Sequence, residues 1–368
     1  MNTVCEVNEC AGCMACVDVC PKHAVSVVDD IEHMNAVIDS SLCINCNICH
    51  KVCQNNNPPV LREPQKWLQG WGDERTRGTS SSGGFGQALM RAVLRSGWIV
   101  AACKLYEGDV RFFLVDDESK LTEFVGSKYV KSNPIGIYQS VKKELKKGKK
   151  VLFIGLPCQV SAMRNYVNDD ENLYTVDLIC HGSPSIKLLQ KAMVEYGFDL
   201  CNIQAIFFRQ SDKFAIETRP CRIVPQGVQD RYTLAFLKGL SYTENCYSCH
   251  YAQVERGGDI TIGDSWGTEM QSELYRGLSL ILCQTAKGKR LLGMVEFNFF
   301  DVDRGNSIRM NKQLQTPSAK PEKRKEFFED IDHGKRFKEA VFRAYPRDCI
   351  LQDVKAGLIK VGFYQGER

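Results

Sequence analysis

The chain has 368 residues, a length typical of two or three domains, and its 43% hydrophobic and 25% charged residues are the usual balance of a protein with a hydrophobic core. The formal net charge of +4 is small for this length and gives no indication of nucleic-acid binding. No apolar run follows Met1, and no window of 18 uncharged apolar residues occurs, so the sequence predicts neither a secretory signal nor a membrane span. We therefore expect a cytoplasmic protein, in which the 18 cysteines favour metal binding over disulfides.

The first 53 residues carry the same cysteine pattern twice, as CAGCMACVDVC and CINCNICHKVC. The spacing C-x2-C-x2-C-x3-C is that of bacterial ferredoxins with two [4Fe-4S] clusters, in which the fourth cysteine of each run ligates the other cluster. The predicted ligands are Cys10, Cys13, Cys16 and Cys53 for one cluster, and Cys43, Cys46, Cys49 and Cys20 for the other. Zinc is the alternative, but its ligands usually come as separated C-x2-C pairs. The doubled run therefore favours iron–sulfur clusters.

The pattern along the chain predicts four segments. Residues 1–57 form a small ferredoxin-like domain with a β-hairpin, since AVSVVDD and MNAVIDS alternate apolar and polar residues. Residues 58–70 are polar and contain prolines, as a linker does. Residues 71–315 form a larger α/β core, and residues 316–368 form a charged, helical segment at the surface. The predicted fold class is therefore mixed, α+β and α/β.

Within the core, helices and strands alternate, and the strands end in loops that carry candidate ligand-binding or reactive residues. The stretch TSSSGGFGQALMRAVLRSGWIVAACKL predicts a loop of small residues, an amphipathic helix, a glycine turn and a buried strand. A basic helix followed by VLFIG repeats this order, and LYTVDLICHG and DITIGDSWG predict two further strands. The hydroxyls, glycines and helix start of TSSSGGFG suit a phosphate or pyrophosphate, although a simple helix cap has the same composition.

Four cysteines lie in the loops of this core. Cys158 and Cys180 follow predicted strands, and Cys246 and Cys249 form a C-x2-C pair. Because open α/β sheets gather ligands at the carboxyl ends of their strands, these thiols can supply a third [4Fe-4S] cluster. A zinc site, a redox dithiol and unrelated buried thiols remain open. The other cysteines have no paired spacing and are interpreted as buried thiols: Cys5, Cys103, Cys201, Cys221, Cys283 and Cys349.

Five motifs in order resemble the beta subunit family of coenzyme F420 hydrogenases and dehydrogenases. They are SSSGGFGQAL, GSKYVKS, IGLPCQVSAMRNY, DLICHGSPS and CYSCHYAQVERGGDITIGDSWG, between about residues 68 and 300. The resemblance implies an iron–sulfur flavoprotein that binds FAD beside a [4Fe-4S] cluster. Matched by motif, the residues near the flavin diphosphate are Ser81, Ser82, Gly83 and Gly84, and those near the flavin ring are Gly126, Ser127, Lys128 and Tyr129.

The resemblance also implies a function. Each cluster transfers one electron at a time, whereas organic reductions need two. A flavin can accept single electrons and pass them on as a pair. We expect an oxidoreductase that passes electrons between an external ferredoxin, or another redox protein, and a small organic substrate. Lys128 is the candidate cation for the reduced flavin and His181 the candidate proton donor, with a surface lysine and a structural histidine as the alternatives. Rival functions are a deazaflavin oxidoreductase subunit, a non-catalytic electron-transfer subunit and a zinc-bearing structural module.

Overall fold

The computed structural model describes residues 2–210, 213–219 and 222–363, so Cys221 lies outside the described residues. The strands are β1 (Val25–Asp29), β2 (Met34–Ile38), β3 (Lys66–Trp71), β4 (Ile99–Tyr106), β5 (Asp109–Val115), β6 (Val151–Ile154), β7 (Leu173–Leu178), β8 (Ile206–Gln210), β9 (Lys213–Thr218), β10 (Ile260–Asp264), β11 (Ser279–Cys283) and β12 (Asn298–Asp301). The helices are α1 (Ala15–Val19), α2 (Ile48–Val52), α3 (Glu74–Gly78), α4 (Phe85–Arg95), α5 (Ile137–Lys146), α6 (Pro157–Val167), α7 (Ile186–Glu195), α8 (Arg231–Leu237), α9 (Gln271–Arg276), α10 (Ala286–Leu292), α11 (Arg304–Met310), α12 (Arg324–Asp332), α13 (Phe337–Ala344) and α14 (Pro346–Lys360).

A large mixed sheet forms the centre of the core, in the order β12-β3-β11-β10-β7-β6-β4-β5. The four inner strands β10, β7, β6 and β4 are parallel, and the strands beyond them on each side pair antiparallel. Parallel strands are covered on both faces, which is why β6 reads as the continuous apolar run VLFI. The predicted mixed α/β fold is confirmed. Strand β3 begins at Lys66, so the sheet starts inside the segment that the sequence assigns to the linker.

The N-terminal segment contains the predicted hairpin, since β1 and β2 pair antiparallel, and a short helix contains the third cysteine of each run. The two runs share one backbone conformation. Gly12 and Met14 in the first run, and Asn45 and Asn47 in the second, have φ values between 56° and 65°. This left-handed region bends each loop around its cysteines, and glycine and asparagine tolerate it best. The sequence repeat is therefore also a structural repeat.

The ferredoxin segment packs closely on the core instead of standing apart on a linker. One hydrophobic cluster joins its buried residues to α5, α6 and the inner strands. The buried Tyr138 hydroxyl donates to the carbonyl of Cys13 at 2.6 Å, and Gln139 donates to the carbonyl of Asp18 at 2.6 Å. Deleting residues 1–57 would expose this apolar surface, so experiments on the full chain test the function better than experiments on separated segments.

The C-terminal helices are more buried than the sequence analysis predicted. Helices α12 and α13 insert Phe327, Phe328 and Phe337 into a cluster with α7 and α8. Arg324 at the start of α12 is fully buried and pairs with Glu32 of the ferredoxin segment and Glu244 beside the C-x2-C pair. The expectation of charged surface helices is wrong for α12 and α13, because these three phenylalanines and Arg324 are buried. Helix α14 is mainly exposed.

Asp18 is the main polar link between the ferredoxin segment and the core, and its replacement gives a first prediction. Its buried carboxylate accepts the Gly136 N–H at 2.8 Å, at the start of α5. Burial raises the pKa of Asp18 although backbone N–H groups oppose the rise, so the ionised form carries a desolvation cost. We expect Asp18→Ala to lower the free energy of unfolding by about 1–3 kcal/mol, because the N–H loses its buried acceptor. Asp18→Asn keeps an acceptor without the charge.

The measurement is chemical denaturation of both variants at neutral pH. Asp18→Asn is expected to lose clearly less stability than Asp18→Ala. Equal losses would show that the carboxylate, rather than a hydrogen-bond acceptor as such, holds the segment in place.

Candidate functional site

The functional residues converge because of the sheet topology. Cys158 follows β6 and Cys180 follows β7, and Asp264 ends β10. These three strands are neighbours and parallel, so their carboxyl ends lie at one edge of the sheet. Cys246 and Cys249 reach the same edge from the loop before β10, where Glu244–Ser248 form a 3-10 helix.

The first thiol set consists of Cys10, Cys13, Cys16 and Cys53. All four are buried. Burial raises the pKa of Cys13, and the charges on Cys16, Cys10 and Cys53 raise it further. Cys53, the last cysteine of the second run, therefore lies beside the cysteines of the first run. A backbone N–H at Gly12 donates to the Cys10 sulfur at 3.4 Å, the kind of contact that tunes a cluster. The arrangement fits the crossed ligation pattern that the spacing predicts.

The second thiol set consists of Cys20, Cys43, Cys46 and Cys49, which line one cavity of about 90 Å³. Burial is the main cause of the raised pKa of Cys49, and the charges on Cys20 and Cys46 add to it. The backbone N–H of Asn45 donates to Cys43 at 3.4 Å, at the position equivalent to Gly12. Cys46 is exposed, so this set lies nearest the solvent.

The third thiol set consists of Cys158, Cys180, Cys246 and Cys249, and the structure brings these four together. All of them line one small cavity of about 50 Å³, more than the roughly 10–15 Å³ that a single water needs. Burial raises the pKa of Cys180, and the charges on the other three thiols add to the rise. Four converging thiols are the donor set of a [4Fe-4S] cluster, so the residues fit that group. Their assignment as cluster ligands stays a prediction.

A larger cavity of about 570 Å³ lies beside the small one. Its wall includes most of the predicted flavin residues: Ser81, Ser82, Gly84, Gly126, Ser127, Lys128 and Tyr129. The predicted proton donor, His181, also lines it. Cys180 and His181 line both cavities, so the loop after β7 forms part of the wall between them. The third thiol set and the large cavity are therefore immediate neighbours.

The loop of small residues meets the second predicted motif at the large cavity. The Ser127 N–H donates to the Ser81 hydroxyl at 2.8 Å, which joins the two loops. The buried Ser82 hydroxyl has no hydrogen-bond partner among the described residues. Helix α4 begins directly afterwards, with Gly84 in the left-handed conformation (φ 89°). A free hydroxyl beside a helix N-terminus fits the phosphate of a cofactor.

Gly83 differs from its neighbours. It does not line the large cavity; a Cβ built on it would lie 2.2 Å from the Gly70 carbonyl oxygen and 2.6 Å from the Ser279 nitrogen. The absence of a side chain at Gly83 lets the loop lie against β3 and β11, because a Cβ there would point at the sheet. The expectation that Gly83 approaches the diphosphate is not supported by this geometry, because the close contact that requires glycine is with the protein.

Lys128 lines the large cavity, but its ammonium group is held by the backbone. Nζ donates to the carbonyls of Phe124, Val125 and Gly126 at 3.2, 2.7 and 2.8 Å. Burial lowers the pKa of Lys128, with a small opposing effect from Cys103. The group is neither a solvated surface lysine nor a free cation; it fixes the Gly126 loop and contributes positive charge from within the wall.

An ion pair that the sequence analysis did not predict lies in the same cavity. The Arg209 guanidinium donates to the Asp264 carboxylate and also lies over the ring of Trp266, 5.7 Å from the ring centroid. Asp264 was identified from its loop, but Arg209 belongs to the β8–β9 hairpin, which has no motif. Tyr129 lies nearby, its ring stacked on Phe236 with centroids 4.4 Å apart, and burial raises its pKa to about 12. Only the tertiary structure brings these groups together.

His181 is exposed at the wall that the two cavities share. Desolvation by the surrounding protein is the main cause of its lowered pKa, and the nearby Asp264 charge opposes the shift. At neutral pH the ring is therefore mainly uncharged and can accept a proton at the cavity wall, whereas the predicted role of proton donor requires the protonated ring.

The thiol sets define the class of protein, an iron–sulfur redox protein, and a separate cavity of about 570 Å³ adjoins them. Residues 148–303 match the family model for the C terminus of the coenzyme F420 hydrogenase/dehydrogenase beta subunit, and residues 9–57 match the model of the 4Fe-4S dicluster domain. The chain thus carries a domain of this beta-subunit family behind a two-cluster ferredoxin domain. The resemblance inferred from the motifs is confirmed, and so are the two [4Fe-4S] clusters of the N-terminal domain.

Among the proteins similar to this chain are a reductase and a chain of a hydrogenase complex. The coenzyme F420-dependent sulfite reductase of Methanocaldococcus jannaschii is 20% identical over 322 residues, which are 80% of this chain and 47% of the relative. The chain therefore spans about half the length of that curated relative. A chain of the F420-reducing [NiFe] hydrogenase complex from Methanosarcina barkeri superposes with a TM-score of 0.48 and 17% identity, covering 71% of this chain and 97% of that one. None of the described helices is long and apolar enough to cross a membrane.

Proposed function

We propose that the chain is an iron–sulfur oxidoreductase that passes electrons between a redox partner protein and a small organic substrate, through three [4Fe-4S] clusters and a flavin-type cofactor in the large cavity. The observation that carries the proposal is the shared wall: Cys180 and His181 line both the small cavity of the third thiol set and the large cavity. The first thiol set adjoins the third, since the charge of Cys13 contributes to the raised pKa of Cys158, whose main cause is burial.

Electrons would enter at the second thiol set. Around the exposed Cys46, the side chains of Leu42, Ile44 and Ile48 are 50%, 56% and 39% exposed. Exposed apolar side chains beside a redox centre suit brief docking of a partner, and weak electron-transfer complexes use small interfaces of this kind. An external ferredoxin is the partner that we propose.

FAD is the cofactor that we propose for the large cavity. Its diphosphate would meet the Ser81–Ser82 loop and the N-terminus of α4, and its ring would lie towards Tyr129 and the third thiol set. Bound there, a flavin collects single electrons and delivers them in pairs. The chain holds the Gly126 loop through Lys128 and places the Arg209–Asp264 pair in the wall. It also offers His181 as a proton acceptor when the ring is uncharged and as a proton donor once the ring is protonated.

Coenzyme F420 is the second candidate, as an occupant of the same cavity or as the substrate, because the matching family model and the curated relative are both named for it. A purely electron-conducting subunit is less well supported, since such a protein has no use for a cavity of about 570 Å³ at the end of its thiol sets.

The test uses the full chain, reconstituted with iron and sulfide without oxygen and then incubated with FAD or with F420. We expect one of the two to remain bound after gel filtration and its absorbance to bleach when reduced ferredoxin is added. The same protein without iron should keep the cofactor but show no bleaching. Retention of neither cofactor by fully iron-loaded protein would contradict the proposal.

A further inference from the structure

Lys131 is a buried lysine between two of the thiol sets, and no step described above uses it. Lys131 is only 4% exposed. Nζ donates to the carbonyl of Ala11 at 3.0 Å and approaches the Asn245 side-chain oxygen at 3.4 Å. Ala11 lies between Cys10 and Cys13, and Asn245 directly precedes Cys246. One ammonium group therefore bridges the ligand loop of the first thiol set and that of the third.

The backbone around Lys131 is arranged to place it there. Its own N–H donates to the Pro184 carbonyl at 2.8 Å, in the loop that follows Cys180. A Cβ on Gly12 would lie 3.0 Å from the Lys131 Cδ atom, so the ligand loop of the first set leaves room for the lysine stem. Backbone and side chain of Lys131 are thus held by contacts with three separate loops.

The charge of Lys131 lacks the usual partner. Among the described residues no carboxylate oxygen lies within the 4.0 Å ion-pair distance of its Nζ. The groups that it faces are the thiols of the first and third sets, whose ligand loops it bridges. A buried ammonium without compensation costs several kcal/mol, so the compensating charge must come from the thiol sets or from what they bind.

We propose that Lys131 is a positioning residue for electron transfer, whose fixed positive charge between the first and third thiol sets raises the reduction potentials of the clusters bound there. The inference rests on the proposed function, because it requires clusters on both sets. A [4Fe-4S] cluster with four thiolates carries net negative charge, and its potential depends on nearby charge and hydrogen bonds. With clusters bound, the first would give one electron to the third, and a positive charge beside both would reduce the repulsion between them.

The experiment compares Lys131→Gln with Lys131→Arg and with Lys287→Gln in the full, anaerobically reconstituted chain. Glutamine removes the charge, and arginine keeps it. Lys287 is a matched control, since its Nζ also donates to two backbone carbonyls (Asp170 at 2.9 Å and Leu173 at 2.8 Å) but lies away from the thiol sets. The readouts are iron content and a redox titration followed by EPR, neither of which depends on catalytic activity.

We expect Lys131→Gln to lower the ratio of reduced to oxidised cluster, for the first and third clusters, at least about tenfold at a fixed potential, equivalent to about 59 mV for one electron. Lys131→Arg should restore most of this shift, and Lys287→Gln should match the unmodified chain. If Lys131→Gln loses iron that Lys131→Arg retains, the positive charge is needed even to hold the clusters, which also supports the proposal. Unchanged potentials in Lys131→Gln, or equal iron loss in both Lys131 variants, would overturn it.

The outcome is separable from that of the proposed function. If the unmodified chain holds only about eight irons, the third cluster of the proposed function fails. Lys131 would then still be tested on the first thiol set, through the potential of the cluster that Cys10, Cys13, Cys16 and Cys53 bind.

Discussion

Replacing Cys180 with serine is expected to remove about four of roughly twelve irons from the reconstituted chain, because the third thiol set would lose one of its four ligands. The clusters of the N-terminal domain should remain, since Cys180 is not among their predicted ligands. Electron flow from ferredoxin to the cofactor of the large cavity should stop. A small chemical reductant should still reduce that cofactor directly, because it needs no cluster.

The measurements are iron analysis, EPR and the absorbance of the bound cofactor after addition of each reductant. Cys349→Ser is the matched control, since Cys349 is a fully buried thiol among the C-terminal helices, remote from every thiol set. A Cys180→Ser variant with full iron content and normal reduction by ferredoxin would show that the four converging thiols do not hold a cluster in the electron path.

The second large effect is expected at Ser82. An aspartate there would place a negative charge beside the cofactor phosphate, and two unit charges 4 Å apart repel by about 4 kcal/mol at the effective dielectric constant of a protein surface. We expect Ser82→Asp to raise the Kd for FAD at least about a hundredfold. Ser82→Ala loses one hydrogen bond, so a rise of about two- to tenfold is expected.

Two controls separate charge from shape. Ser82→Asn has nearly the size of aspartate without the charge, and riboflavin has the flavin ring without a phosphate. Isothermal titration should show that Ser82→Asn weakens FAD binding far less than Ser82→Asp, and that both variants bind riboflavin alike. Equal weakening of FAD and riboflavin by the aspartate would mean that Ser82 faces another part of the ligand.

Local spacing was enough to predict the N-terminal domain. The ligands of each run lie within eleven residues, and the left-handed positions at Gly12 and Asn45 follow from the same spacing. Local spacing could not predict the third thiol set, because Cys158 and Cys246 are 88 positions apart and meet only through the order of the parallel strands. That set was predicted from the number of remaining cysteines and from the resemblance.

Other features depend on contacts that no local pattern contains. Nothing in the local sequence distinguishes Arg209, and its role depends on the fold of the hairpin, which places it against Asp264. Gly83 belongs to a motif with the composition of a phosphate loop, yet its contact is with β3 and β11. The burial of α12 follows from the pairing of Arg324 with Glu32, almost three hundred residues away in the chain. Lys131 lies inside a recognised motif, but its role comes from the two loops on either side.

The central claim is that one path of three clusters leads to the large cavity, and iron anomalous scattering from an anaerobic crystal of the full chain tests it most directly. The account predicts three separate groups of iron: at the second thiol set, at the first, and between Cys158, Cys180, Cys246 and Cys249 beside the large cavity. Iron at the first two sets alone, or zinc at the third, would contradict it.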